Sequence, residues 1–289
     1  MKKYLIRSVG ALCILCAAAV MFMSSWVQIE GVQRRDLRDM RDDLQGVYTA
    51  VSDTFTQQVE DNKDFKEELK DYDLPYTRSK IKAQFSTLEE LTDALLDREI
   101  SYQDLLMLSV KAPGLIKLAS NLADSRCFEV FSSAAAEYIL FEGSQAITNV
   151  NSVEERNAAL QSGADQIEEM TQDTVDALSE MSALFVLLTV LLILILVLAV
   201  ASAATHICNK ARWLKYIFLV ILVVMVVGSC VALPMVSDLI ADSMDAASPL
   251  AELSLTISVM PFVSVALMIV PIILDIIYEH KKEKKIVEA

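Results

Sequence analysis

The chain has 289 residues, 54% of them hydrophobic, and still carries a net charge of −14. A mean hydropathy of +0.42 beside that charge excludes one evenly coated soluble core and points to apolar and charged stretches kept apart. The acidic balance also removes the basic footprint that nucleic-acid binding needs, so no nucleic-acid partner is expected.

The first element, residues 1–26, reads as a membrane span behind a short cytoplasmic N-terminus. Met1-Lys-Lys-Tyr-Leu-Ile-Arg7 resembles the charged start of a secretory signal, and Ala17-Ala18-Ala19 offers a cleavage pattern. The apolar run continues through Val20-Met-Phe-Met23, which favours an uncleaved anchor. Gly10, Ala11, Cys13, Cys16, Ala17, Ala18 and Ala19 are small, so this span is expected in the middle of a helix bundle, where small residues permit close approach.

Residues 27–180 form the main hydrophilic block. Leu37, Met40, Leu44, Val47, Val51, Phe55 and Val59 recur at steps of three and four, with Phe65 and Leu69 extending the stripe; this predicts one amphipathic helix from Val27 to about Asp71. Tyr72-Asp-Leu-Pro-Tyr76 breaks it, because the residue before a proline disfavours the helical region. Ser86-Thr-Leu-Glu89 and Ser101-Tyr-Gln-Asp104 read as helix starts. Lys111-Ala-Pro-Gly114 is expected to separate the second of these from Leu115–Ala123, and Cys127–Phe141 fits either helix or strand. Glu142-Gly143-Ser144 closes that piece. No hairpin signal is present, so an all-α domain is expected.

Ser152-Val-Glu-Glu155 is a capping box: the serine oxygen accepts a free N–H of the first turn. The helix it opens carries Leu160, Ala164, Ile167, Thr171, Val175 and Leu178 as a stripe and runs on, without proline, through the uncharged residues 181–204, long enough to span a bilayer. A loop (205–213), a third span (214–235, ending near Pro234), an acidic loop (236–252), a fourth span (253–277) and a basic tail (278–289) complete the chain. The fold class expected is an all-α integral membrane protein: four transmembrane helices, with a large helical extracytoplasmic domain, 27–180, between the first and second spans.

Charge placement orients it. In the 27–180 block acids outnumber bases about two to one, the 236–252 loop holds Asp238, Asp242, Asp245 and Glu252 without a base, and the termini and the 205–213 loop are basic. Short basic loops remain in the cytoplasm, which puts both termini inside and the acidic block outside. Tyr4, Trp213, Tyr216 and Tyr278 mark the inner boundary and Trp26 the outer one. A Met-Lys-Lys start and a block without N-x-S/T sites suggest a bacterial plasma membrane.

Chemistry is sparse. The two histidines, His206 and His280, lie outside the acidic block, so no histidine base can sit there beside a nucleophile. No metal-ligand spacing, P-loop or GxGxxG motif occurs. The expectation is therefore a non-enzyme with no catalytic residue, cofactor or metal. Cys13, Cys16, Cys127, Cys208 and Cys230 give no disulfide framework, and Cys127 reads as a small buried apolar residue. The candidate contacts for an anionic ligand or lipid are Arg34, Arg35, Arg38 and Arg41, interleaved with Asp36, Asp39, Asp42 and Asp43. Pro261 and Pro271 are candidate hinge positions. Ser254, Ser258 and Ser264 are the hydroxyls a pore would use.

The order span, long helix, helical insert, long helix, span over residues 1–204 resembles in layout the outer half of bacterial chemoreceptors, which implies a ligand sensor signalling through a separate membrane partner. The leading expectation is a non-enzymatic membrane protein whose helical outer domain binds or scaffolds partners in a cell-envelope complex, with the bilayer and other envelope proteins or a second copy as partners. The other alternative is a channel or transporter subunit using the last three spans.

Overall fold

The computed structural model describes residues 2–143, 152–208, 210–211, 213–243 and 253–287. It is mostly helical, and among the described residues five helices are long and apolar enough to cross a membrane: within Ile6–Met23, Tyr102–Ala123, Ser182–Cys208, Leu214–Asp238 and Met260–Tyr278. The chain is a multi-pass membrane protein. It divides into two compact units, one of residues 1–32, 98–106 and 188–289, the other of 33–97 and 107–187. Asp245 and Glu252 of the acidic loop, Ser144 and Arg212 lie outside the described residues.

In the first unit, α1 (Lys2–Met23) is followed by β1 (Ser25–Glu30). The helix expected to begin at Val27 is thus interrupted by a strand. β1 is the centre of a three-stranded antiparallel sheet, flanked by β2 (Glu99–Ser101) and β3 (Ser254–Ile257). Val27 pairs with Ile100 on one side and Ile257 on the other. β1 and β2 add short strands to the mostly helical 27–180 region, where none is expected, and β3 occupies the first residues of the expected fourth span, 253–277. Each is too short to show a period, and their partners stand far apart in sequence, so no turn announces them. The free edge of β3 is met by Ser237, whose hydroxyl accepts from Leu255 N at 2.7 Å and donates to Leu233 O at 2.9 Å.

Gly31, with φ 82°, turns the chain out of β1, a conformation side chains resist. α8 (Leu214–Ser243) continues through Pro234, past the expected end of the third span. α9 (Met260–Val287) starts after β3.

The α1 face made of Ala11, Ile14, Ala17 and Met21 is buried, as its small residues suggest. At Gly10 a Cβ would stand 2.3 Å from Nε2 of His206, so only glycine admits that imidazole. Trp26 does not face lipid as an interfacial anchor: it is buried, its Nε1 donates to Met21 O at 2.8 Å, and its ring lies 6.1 Å from Tyr102. Tyr102, fully buried, donates its hydroxyl to Leu192 O at 2.6 Å. A buried phenol needs such a partner. Trp213 and Tyr216 are exposed.

Lys215 of α8, 1% exposed, forms an ion pair with Asp275 of α9. Removing one partner of a buried pair strands the other charge. Lys215→Met should therefore destabilise the chain by about 3–5 kcal/mol, and adding Asp275→Leu should restore most of the loss. Thermal unfolding of the three variants in one detergent checks this; equal stability of Lys215→Met and wild type would contradict it.

Candidate functional site

The second unit is built by α2 (Arg34–Asp61), α3 (Lys63–Asp71), α4 (Arg78–Leu96), most of α5 (Tyr102–Ala123), α6 (Cys127–Glu137) and the first half of α7 (Val153–Cys208). The expected single helix to Asp71 is cut at Asn62, whose side chain accepts from Asp64 N at 3.0 Å and Phe65 N at 3.2 Å and so caps α3. α3 ends on Asp73 at φ 55°, with Leu74 N donating to Leu69 O at 2.7 Å. This 6→1 bond closes the last turn and brings Leu74 onto Leu69, both buried.

Ser86-Thr-Leu-Glu89 does not start a helix; it lies inside α4. Ser101 and Asp104 do cap α5 reciprocally: Asp104 N donates to Ser101 Oγ at 3.2 Å and Ser101 N to Asp104 Oδ2 at 2.9 Å. α5 then runs through Pro113 without the expected break, held by Ala112 and Ile116, which are buried on either side. After α6 a π-helical turn, Tyr138–Glu142, aims Tyr138 at α2. A Cβ on Gly46 would lie 1.8 Å from its hydroxyl oxygen, so the tyrosine occupies the space of a missing side chain.

α7 begins at its predicted cap, with Glu155 N donating to Ser152 Oγ at 3.1 Å. It meets α6 closely near Gly163, where a Cβ would stand 3.0 Å from Leu140 and 3.4 Å from Ala136. Ser132 donates to Glu168 at 2.8 Å one turn further on. Beyond that point a cleft of about 590 Å³ opens beside α7. One wall is Met170, Thr171, Thr174, Val175 and Leu178 of α7; another is Leu115, Leu118, Ala119 and Leu122 of α5. Ile81, Gln84, Phe85 and Leu88 of α4 and Phe55, Leu69 and Phe131 close it. Among the described residues no charged side chain lines it. That size falls within the range of small-molecule sites.

Its few polar groups are largely committed. The Tyr48 hydroxyl lies 3.1 Å from Thr92 Oγ1, and Thr174 donates to Met170 O at 2.7 Å. Gln84 and Thr171 are the two remaining lining groups with hydrogen-bonding capacity. The α7 stripe was legible in the sequence; the gap beside it was not, because periodicity records which face is apolar and not what that face fails to touch.

The arginine group is divided. Arg35 pairs with Asp39 at 3.6 Å. Arg41 turns to Asp93 of α4 at 3.3 Å, where Gln45 also donates at 3.0 Å. Arg34 and Arg38 are exposed. Pro261 sits in the first turn of α9 behind Ser258, whose hydroxyl accepts from Met260 N at 3.4 Å. A missing N–H costs nothing there, so the reason for placing a hinge at Pro261 falls away. Pro271 is interior and buried. Ser254 lies in β3, Ser258 caps α9 and Ser264 is buried.

Cys127 packs in the core behind the cleft, 1% exposed. Burial, reinforced by the charge of Glu68 and opposed by a hydrogen bond with Ser125, pushes its thiol up to about 11. The folded state thus holds the proton where an unfolded thiol has lost it; this contribution is complete below pH 9 and disappears as pH rises towards 11. Peptide-resolved maleimide labelling at pH 7.5 should modify Cys127 only after denaturant is added, while exposed Cys208 reacts early. Rapid native labelling of Cys127 would contradict this burial.

No protein family, no curated protein and no solved structure matches the chain.

Proposed function

We propose that the chain is a non-enzymatic multi-pass membrane protein whose helical unit binds an apolar ligand in the cleft beside α7. The supporting observation is the cleft itself, about 590 Å³ without a lining charge. An enclosed void of that size would cost ~14 kcal/mol at ~24 cal/mol per Å³, as much as the whole stability of a domain. The cleft is open at a rim carrying Met170, 71% exposed. Filling it with water sets solvent against walls that offer few partners. An apolar molecule satisfies the same surface and recovers the burial.

In this reading four helices span the membrane, α1, the second half of α7, α8 and α9. α5 carries Asp104 and Lys111, and its Leu115–Leu122 face belongs to the cleft, which supports a role in the helical unit. The basic loops put both termini in the cytoplasm and the helical unit outside a bacterial plasma membrane. Output then passes through the spans to a separate membrane partner, as in a ligand sensor.

Two experiments test this. With the full chain in amphipol, phenanthrene or dodecanol should raise the unfolding temperature, since a ligand at a hundred times its Kd adds about 2.7 kcal/mol. Ala119→Phe, which fills the cleft, should remove that response. No stabilisation by either probe overturns the proposal. For orientation, a membrane-impermeant maleimide added to intact cells should leave Cys208 unmodified until the cells are permeabilised. Modification in intact cells would reverse the topology.

A further inference from the structure

The shape and polarity of the cleft narrow its ligand. On α7 the lining runs from Met170 to Leu178, on α5 from Leu115 to Leu122 and on α4 from Ile81 to Leu88. Each wall is therefore about two helical turns, roughly 10–12 Å, in length. An apolar lining that extends about two turns along each of three helices suits an unbranched chain. Phe55, Phe85 and Phe131 close the cleft with ring surface, which packs against methylene groups as readily as against rings.

The polar groups set the other end of the ligand. A charge placed among these walls would lose its hydration with no ion to pair it. Gln84 and Thr171 offer one amide and one hydroxyl from two different helices. Together they donate to and accept from a single neutral polar group. Leu178 stands four residues, about one turn, before Ser182, where the membrane-length apolar stretch of the same helix begins.

Resting on the reading of the cleft as a ligand site, we propose that it takes one unbranched hydrocarbon chain with an uncharged polar end, the chemistry of a long-chain alcohol or a monoacylglycerol. The chain lies along Met170–Leu178, and the polar end bonds to Gln84 and Thr171. Charged amphiphiles of equal length are rejected because the lining holds no counter-charge.

The test uses the full chain in phosphatidylcholine liposomes and a twelve-carbon alcohol bearing a mid-chain diazirine. Irradiation should place adducts on peptides covering Leu115–Leu122 and Met170–Leu178. Unlabelled dodecanol should compete at least tenfold better than dodecanoate at pH 8. Gln84→Leu with Thr171→Val should weaken that competition about tenfold, roughly one hydrogen bond's worth. Ala119→Phe should abolish the adducts; Thr174→Phe, at the exposed rim, repeats the test should Ala119→Phe fail to fold. Equal competition by dodecanoate overturns the uncharged end. A small aromatic diazirine that labels these peptides where the alcohol does not overturns the chain but leaves the cleft as a ligand site. Labelling confined to the membrane-spanning helices with both probes overturns both.

Discussion

Helix α7 runs unbroken from Val153 to Cys208, and the cleft lies along part of its first half. Its second half is an apolar stretch from Ser182 to Cys208, where a lipid environment requires every backbone group to be bonded within the segment. The same helix extends back to Val153 with no proline and a single glycine, Gly163. α7 carries no proline, and its one Ser/Gly pair of the kind that admits a sharp bend is Ser162-Gly163, at the approach to α6. Gly163 and Ala136 let it approach α6 closely at one end. Beyond that approach the cleft lies between α7 and residues of α4 and α5. Close packing is the norm in protein interiors, and the proposal of an apolar ligand rests on this departure from it.

The first unit solves a different problem. Three segments distant in sequence, β1, β2 and β3, form one sheet, and Trp26, Tyr102 and Leu192 bind α1, α5 and α7 together through buried rings and the Tyr102 hydroxyl. Two polar side chains of this unit meet specific partners: Ser237 serves the edge of β3, and Lys215 faces Asp275. These pairings are specific rather than strong, because a buried ion pair yields little net stability while its disruption is costly. Ser254 lies in a strand, Ser258 bonds to the first turn of α9, and Ser264 is buried on a helix.

Much of the helical framework could be read directly. The apolar runs located α1, α8 and the spanning half of α7, and Ser152 and Ser101 marked true helix starts. Local signals failed where distant packing outweighed them. Pro113 sits inside α5 because Ala112 and Ile116 are buried beside it, and Ser86 lies within α4 despite its capping pattern. Asn62 broke a stripe whose apolar period continues across it, since a cap depends on one side chain and the period on many. The short strands were hidden inside neighbouring apolar runs. Of the candidate site residues, the arginines were visible as a cluster, but Arg41 belongs to Asp93 in three dimensions. The cleft joins residues from six helices, and no single stretch announces it.

The account makes α7 and the α4–α5 walls two sides of an occupied site, and native mass spectrometry tests this directly. The full chain released from native membrane nanodiscs should retain one apolar molecule at high collision energy, and the Ala119→Phe chain should be bare under the same conditions. A wild-type chain without such a molecule, or equal retention by both chains, would contradict it.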